Sequence, residues 1–310
     1  MNLQYFPASD ADRRFIDALL GDRAFTQVYS TPQSADDMRD ATRAILQSGG
    51  FTVDADGLTV TPCDIAGVPC EWITPAHASS RGLIVFLHGG GFVRGSLELG
   101  RRNAMELAAL SGVTVLAAGF RQAPEHRFPA ASLDVLAVYR ALLETGRTSD
   151  AIVIVGESAG GCLAMTLPER VARGECPMPA GLVGLCPMAD LRMDSASWYV
   201  NASRDIATRD MGERMLSLYI DDKDRADPLA TPLNARFDAR ANLLLCVGAN
   251  EVMLSDVERL ADHADRAGAS VTLNLYESMA HGFTKFDTPL ARLAMQHAAQ
   301  WSAARLVSPS

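Results

Sequence analysis

The stretch Ala151-Ile152-Val153-Ile154-Val155-Gly156-Glu157-Ser158-Ala159-Gly160-Gly161 decides how the rest of the chain is read. Five apolar, mostly β-branched residues predict a fully buried strand. Gly156-Glu157-Ser158-Ala159-Gly160 then turns its end sharply into a segment of helical spacing, Cys162 to Ala172. A serine on a strained strand-to-helix turn is the G-x-S-x-G nucleophile elbow. The flanking glycines, Gly156 and Gly160, carry no Cβ to collide across the turn. The following helix aims its positive end and its free N–H groups at charge forming near Ser158.

Such a pentapeptide alone is an ordinary turn about as often as a site, so its surroundings decide. Upstream, Leu83-Ile84-Val85-Phe86-Leu87 is another buried strand, and it runs into His88-Gly89-Gly90-Gly91-Phe92, a glycine run whose N–H groups suit an oxyanion. From Gly82 onward strands and helices alternate, which implies a largely parallel sheet with helices on both faces. The spacing predicts strands near 83–87, 113–118, 151–155, 181–186, 243–247 and 271–276, and helices near 97–111, 131–145, 160–173, 254–267 and 288–305. Leu58 to Ile65 and Cys70 to Thr74 alternate as a hairpin.

Residues 1–48 read as two helices, Asp10 to Leu20 and Ser34 to Leu46, separated by a link with Pro and Gly punctuation. The long segment from Pro187 to Asn242 interrupts the alternation and contains a helix-like part, Asp210 to Tyr219. A loop of that length inside a compact domain is functional or has its own structure. The expected organisation is therefore a core of 49–186 and 243–310, with 1–48 and the insertion 187–242 forming a cap over the serine.

With 310 residues, 48% hydrophobic and 21% charged, the chain is long enough for one large core and an accessory unit. A net charge of -9 without any basic run argues against nucleic acid. No apolar run approaches the ~20 residues that span a bilayer, and the start lacks a secretory pattern. Six cysteines without a C-x-x-C pair read as reduced thiols, which suits a cytoplasmic protein. There is no H-x-x-x-H, no Cys/His cluster and no phosphate-binding glycine motif, so neither a metal nor a cofactor is expected.

Five patches together carry a family resemblance: His88-Gly89-Gly90-Gly91-Phe92, the run from Phe120 to Ala131, Gly156 to Gly161, Asp227-Pro228-Leu229 and His281-Gly282-Phe283. In this order they resemble the hormone-sensitive-lipase-like family of α/β-hydrolases, which includes many bacterial esterases. The resemblance implies an α/β-hydrolase fold with a mostly parallel sheet of about eight strands flanked by helices, and a helical cap. It also implies hydrolysis of small carboxylic esters without a cofactor, and assembly as a homodimer. Two positions depart from the family pattern, with Glu157 and Glu251 standing where Asp is common.

A serine hydroxyl is too weak an acid to attack an ester unaided, so Ser158 needs a base within hydrogen-bond reach. Histidine suits, and in this fold the chain order is serine, acid, histidine. Of His263, His281 and His297, the first lies in an amphipathic helix and the last in the final helix, whereas His281 follows a strand on a loop. The acid belongs just after the strand Leu243 to Val247, where Glu251 comes first and Asp256 is the rival. The oxyanion hole is expected from the N–H of Ala159 with, by the resemblance, those of Gly90 and Gly91. His88 precedes the serine and is expected to order its loop. The resemblance implies that Glu157, Glu125, His126 and Arg127 are buried or half-buried near the elbow, where paired polar groups would support the loops.

Phe92, Trp198, Tyr199, Met211, Met215, Tyr219 and Phe283 are candidates for an apolar pocket wall. The expected activity is a short-acyl carboxylesterase acting on a small-molecule ester. A lactonase, deacetylase, amidase or dehydratase on the same pocket is the alternative, followed by a non-catalytic ligand receptor on the same fold.

Overall fold

A computed structural model describes residues 1–22, 34–47 and 56–306. The punctuated link between the two N-terminal helices lies for the most part outside them. One nine-stranded sheet organises the molecule. Its strands in chain order are β1 (Asn2–Phe6), β2 (Leu58–Ile65), β3 (Val68–Pro75), β4 (Ser79–Leu87), β5 (Val113–Ala118), β6 (Ile152–Glu157), β7 (Gly181–Leu185), β8 (Asn242–Gly248) and β9 (Ser270–Tyr276). In space they run β1-β9-β8-β7-β6-β4-β5-β3-β2, with the β2/β3 and β3/β5 pairs antiparallel and the others parallel.

The central strand β6 shows why its sequence reads as a continuous apolar run. Ile152 and Ile154 face one hydrophobic layer while Val153 and Val155 face the other, and all four are fully buried. Each such side chain contributes about 1.5–3 kcal/mol relative to exposure, so both faces must be covered. Helices α3 (Leu97–Ser111) and α10 (Pro289–Arg305) cover one face, with Leu107, Ala108, Ala294 and Ala298 packed inward. On the other face lie α4 (Ala130–Glu144), α5 (Ala159–Met165) and α9 (Leu254–Arg266), which contribute Val135, Leu163 and Leu260.

The N-terminal expectation needs correction. Asn2–Phe6 is not helical but a ninth strand, parallel to β9 and on the sheet edge. Its pattern is mostly exposed, so the apolar signature of a core strand is absent. Helix α1 (Asp10–Gly21) packs on α10 at the core, where the Asp12 carboxylate accepts the N–H of Leu290 at 3.0 Å. Of the two N-terminal helices, α2 (Ala35–Gln47) is the one that reaches the serine's side of the sheet. Its Arg39 donates to the carbonyls of Val93 and Ala123, both at 2.9 Å, and pairs with Glu125.

The helix expected over 160–173 is broken at Thr166 into α5 and α6 (Leu167–Ala172). Pro168 lacks the N–H an uninterrupted helix would use, and it sits at the start of the second piece. The insertion between β7 and β8 holds α7 (Ser197–Val200) and α8 (Arg209–Tyr219). Parallel strands in this order open a crevice at their carboxyl ends beside β4, since the chain leaves β4 toward β5 on one side and then crosses from β5 to β6 on the other.

Candidate active site

Ser158 occupies the tip of the turn between β6 and α5, with φ 52° and ψ -113°. That left-handed backbone is costly for a residue with a Cβ, and the surroundings hold it in place. The Ser158 N–H donates to Leu185 O at 2.9 Å, and its carbonyl accepts from Cys162 and Met188. The two glycines are required by contact: a Cβ on Gly156 would lie 2.1 Å from Gly160 O, and one on Gly160 would lie 2.1 Å from Leu87 O.

Loops after β6, β8 and β9 bring three side chains into a line. Ser158 Oγ and His281 Nε2 are 2.9 Å apart, and His281 Nδ1 and Glu251 Oε2 are also 2.9 Å apart. The second oxygen of Glu251 accepts the Gly248 N–H at 2.6 Å, so the loop's own backbone fixes the carboxylate. In this geometry Nδ1–H donates to the carboxylate and Nε2 is left to accept from the serine hydroxyl. Burial lowers the affinity of His281 for a proton, but the Glu251 bond and the charges of Glu251 and Asp205 outweigh it. The net pKa is raised above the ordinary histidine value.

The competing residues lie elsewhere. Asp256 accepts from Trp198 Nε1 at 2.8 Å inside the contact between the insertion and α9. His263 bonds the Ala235 carbonyl and His297 the Tyr276 hydroxyl, both at 2.9 Å. His88 is buried with Nδ1 on its neighbour's carbonyl, Gly89 O, at 2.8 Å, and its ring stacks on Phe120 at 4.2 Å. Burial pulls its pKa down to about 4, so it is a neutral support of the glycine run.

Gly90, with φ 115°, turns this run back on itself, and a Cβ there would meet Gly95 Cα at 2.4 Å. Among the described residues, the N–H groups of Gly90, Gly91 and Ala159 bond no backbone carbonyl outside regular elements. Gly90 and Gly91 line the cleft beside Ser158, and Ala159 directly follows that serine. Glu157 is wholly buried beneath the same corner and pairs with Lys285. Glu125, His126 and Arg127 depart from expectation: all three are exposed. Glu125 pairs with Arg39, and Arg127 bonds Ser217 O and Asp221, so they tie the surface of α2 and α8 to the loop.

The cleft above Ser158 and His281 is walled by Trp198, Met211, Met215 and Leu216 from the insertion, Met188 after β7 and Met253 before α9. Of the apolar candidates, Trp198, Met211 and Met215 line this cleft, and four others do not. Phe92 and Tyr219 stack face to face at 3.9 Å in the buried core, each satisfying the other's apolar face. Phe283 is buried against Tyr276. Tyr199 is 61% exposed, facing solvent near Arg209. Sequence reading missed the methionines outside α8, Met188 and Met253, and it missed Asp205, a buried carboxylate beside His281 with no motif to announce it.

Cys186, Glu251 and His281 bring one donor atom each within 4.8 Å, a spacing that a metal ion could bridge. The donor chemistry does not fit. The Glu251 and His281 atoms already share a hydrogen bond, and burial beside Glu251 drives the Cys186 thiol far above its ordinary pKa. It stays a protonated thiol and not a thiolate ligand.

Comparison with known proteins agrees with this architecture. A family model described as the α/β-hydrolase fold matches residues 84–285. The chain is similar to an acetyl-hydrolase of Streptomyces hygroscopicus, at 35% identity over 72% of this chain and 76% of that one. It is also similar to an esterase of Acinetobacter venetianus, at 32% identity over 78% and 81%. Among solved structures, an esterase from the bacterial hormone-sensitive lipase family superimposes with a TM-score of 0.88 at 29% identity, covering 96% of this chain and 99% of that one. The chain belongs to the hormone-sensitive-lipase-like family of α/β-hydrolases, and it is an enzyme that hydrolyses ester bonds.

Proposed function

We propose that this enzyme is a serine carboxylesterase for small, short-acyl esters, working through an acyl-enzyme on Ser158. The observation that carries the reading is the unbroken relay from Ser158 Oγ to His281 Nε2 and from His281 Nδ1 to Glu251. As Ser158 Oγ attacks the ester carbonyl, its proton passes to Nε2, and Glu251 holds the imidazolium that forms. The carbonyl oxygen becomes an oxyanion facing the N–H groups of Gly90, Gly91 and Ala159. One such donor is worth on the order of 3 kcal/mol in the transition state. His281 returns the proton to the departing alcohol. Water then repeats the sequence on the acyl-enzyme and frees the acid.

Short acyl groups fit the way Met215 crowds the oxyanion loop: a Cβ on Gly91 would lie 2.3 Å from its sulfur. The acetyl-hydrolase relative supports the same size class. In this reading α2 and residues 187–242 act as a helical cap. No helix of the described residues is long and apolar enough to cross a membrane. The six free cysteines support a reducing, cytoplasmic setting.

A panel of p-nitrophenyl esters from acetate to decanoate tests the proposal, together with an organophosphonate probe read by intact mass. Acetate and butyrate esters turn over fastest, the probe adds to the wild type, and Ser158→Ala loses both, with kcat down by about 10⁶-fold. Wild-type turnover of these esters no better than that of Ser158→Ala would sink the assignment. A phosphonate adduct absent from active enzyme would instead favour a reaction without an acyl-enzyme.

A further inference from the structure

Asp205 lies in the insertion, apart from every recognised motif, and it is buried. Its Oδ1 accepts the backbone N–H of His281 at 2.7 Å and that of Ala207 at 3.3 Å. Its Oδ2 accepts the backbone N–H of Val252 at 2.8 Å. Val252 directly follows Glu251, so one carboxylate from the insertion grips both the loop of the acid and the loop of the base.

We propose that Asp205 is a positioning residue for ester hydrolysis, which fixes His281 against Glu251 and places a second buried negative charge beside the imidazolium. The inference rests on the assignment of Ser158, His281 and Glu251 proposed above.

A plain structural clamp would not call for a carboxylate. An ionised group is expensive to bury, and the usual compensation is a cation. Among the described residues no Lys or Arg bonds Asp205, and three backbone amides hold it instead. The cost is visible in its own chemistry, since burial pushes the Asp205 pKa up to about 6. What the charge faces is His281.

The groups around that ring are Glu251 from the loop after β8, Asp205 from the insertion, and Ser158 from the elbow. Cys186 lies at the end of β7, and Lys285 follows Gly282. Lys285 opposes protonation, but it is itself paired with Glu157. Two carboxylates against one neutralised ammonium favour the charged imidazole, the form created when Ser158 Oγ gives its proton to Nε2.

The neighbouring residues of the insertion provide the control. Asn201 Nδ2 donates to Ala249 O at 3.2 Å and Glu251 O at 2.9 Å. It stitches the same acid loop with no charge. Removing it disturbs the clamp and leaves the field on His281 intact.

The test is the pH dependence of kcat and kcat/KM for p-nitrophenyl acetate, measured on the wild type, Asp205→Asn, Asn201→Ala and His281→Ala. In Asp205→Asn, kcat falls at least about tenfold with little change in KM, and the acidic limb moves down by roughly one pH unit. Asn201→Ala loses activity without moving the limb. A fall in Asp205→Asn with an unmoved limb overturns the proposal and leaves only a structural clamp.

Should Asp205→Asn fail to fold, the wild-type profile decides. Two flanking carboxylates require an acidic limb above the ordinary histidine value of about 6.5, as a joint property of the coupled pair, and a lower limb overturns the idea. His281→Ala separates the two readings. Near-wild-type turnover in that variant would remove the triad assignment itself, whatever Asp205 does.

Discussion

At the length of one side chain, Glu251 does two things with two oxygens. One anchors the residue to Gly248 N–H and the other faces His281. The extra methylene relative to aspartate is taken up within the loop, because the carboxylate folds back onto the backbone three residues earlier. Glu251→Gln keeps the shape and removes the charge, and its amide NH2 can present a donor where Nδ1–H needs an acceptor. The imidazole is then held in the wrong tautomer. We expect kcat to fall by about 10⁴-fold with KM near the wild-type value, and steady-state kinetics on p-nitrophenyl acetate measure it. An unchanged kcat would show that Glu251 does not orient the base.

Side chains of this kind differ in how plainly the sequence announces them. Ser158 and His281 stand in short motifs, and their chain order narrows the choice. Asp205 sits between Arg204 and Ile206 with nothing local to mark it, because its meaning comes from amides 47 and 76 positions away. On spacing alone Glu251 comes first, with Asp256 as its rival. What distinguishes them is that Asp256 is already used by Trp198.

For the elements, the strands and helices after Gly82 were legible because each is long, apolar on the right period and bounded by turn residues. The break at Thr166 and the wall of the pocket were less so. A buried aromatic reads the same from sequence whether it lines a cavity or fills a core, and Phe92 and Tyr219 fill one against each other. The insertion's contribution to the cleft includes the face of α8 that carries Met211 and Met215. Methionine is flexible and adapts to differently shaped ligands, so this wall tolerates related esters. Met215→Ala removes the group that crowds Gly91 and deepens the acyl side. The ratio of kcat/KM for octanoate over acetate esters should rise by about tenfold or more, measured with the same ester panel. A ratio that stays put would place the acyl chain against another wall.

Across the whole molecule, the insertion is fastened to the core by polar contacts as well as by its methionines. Asp256 on α9 receives Trp198 Nε1 and lies near Arg259, and it is buried. Burial raises its pKa to about 6, with the Trp198 and Ser195 hydrogen bonds pulling the other way. The folded form thus binds this proton more tightly than the unfolded chain. The stabilisation from that proton is complete below about pH 3.8 and is lost as pH rises through 6. Asp256→Asn has no proton to lose. Relative to the wild type it should gain stability between pH 4 and pH 8, by up to about 3 kcal/mol, as read from urea unfolding midpoints. A difference that is flat with pH would show that Asp256 has an ordinary carboxylate pKa in the fold.

The edge strand β1 sets a timetable for the molecule's birth. Asn2 lies opposite Thr272, so the pairing joins positions 270 residues apart. At a ribosomal rate of roughly 5–20 residues per second, the partner emerges roughly 15–50 s after β1 does. Throughout that interval Leu3 and Tyr5, more than half exposed even in the finished fold, have no strand to lie against. The opposite edge, the hairpin of β2 and β3, can pair as soon as it is made, so the seam between β1 and β9 is sewn last, by a segment that has long been waiting.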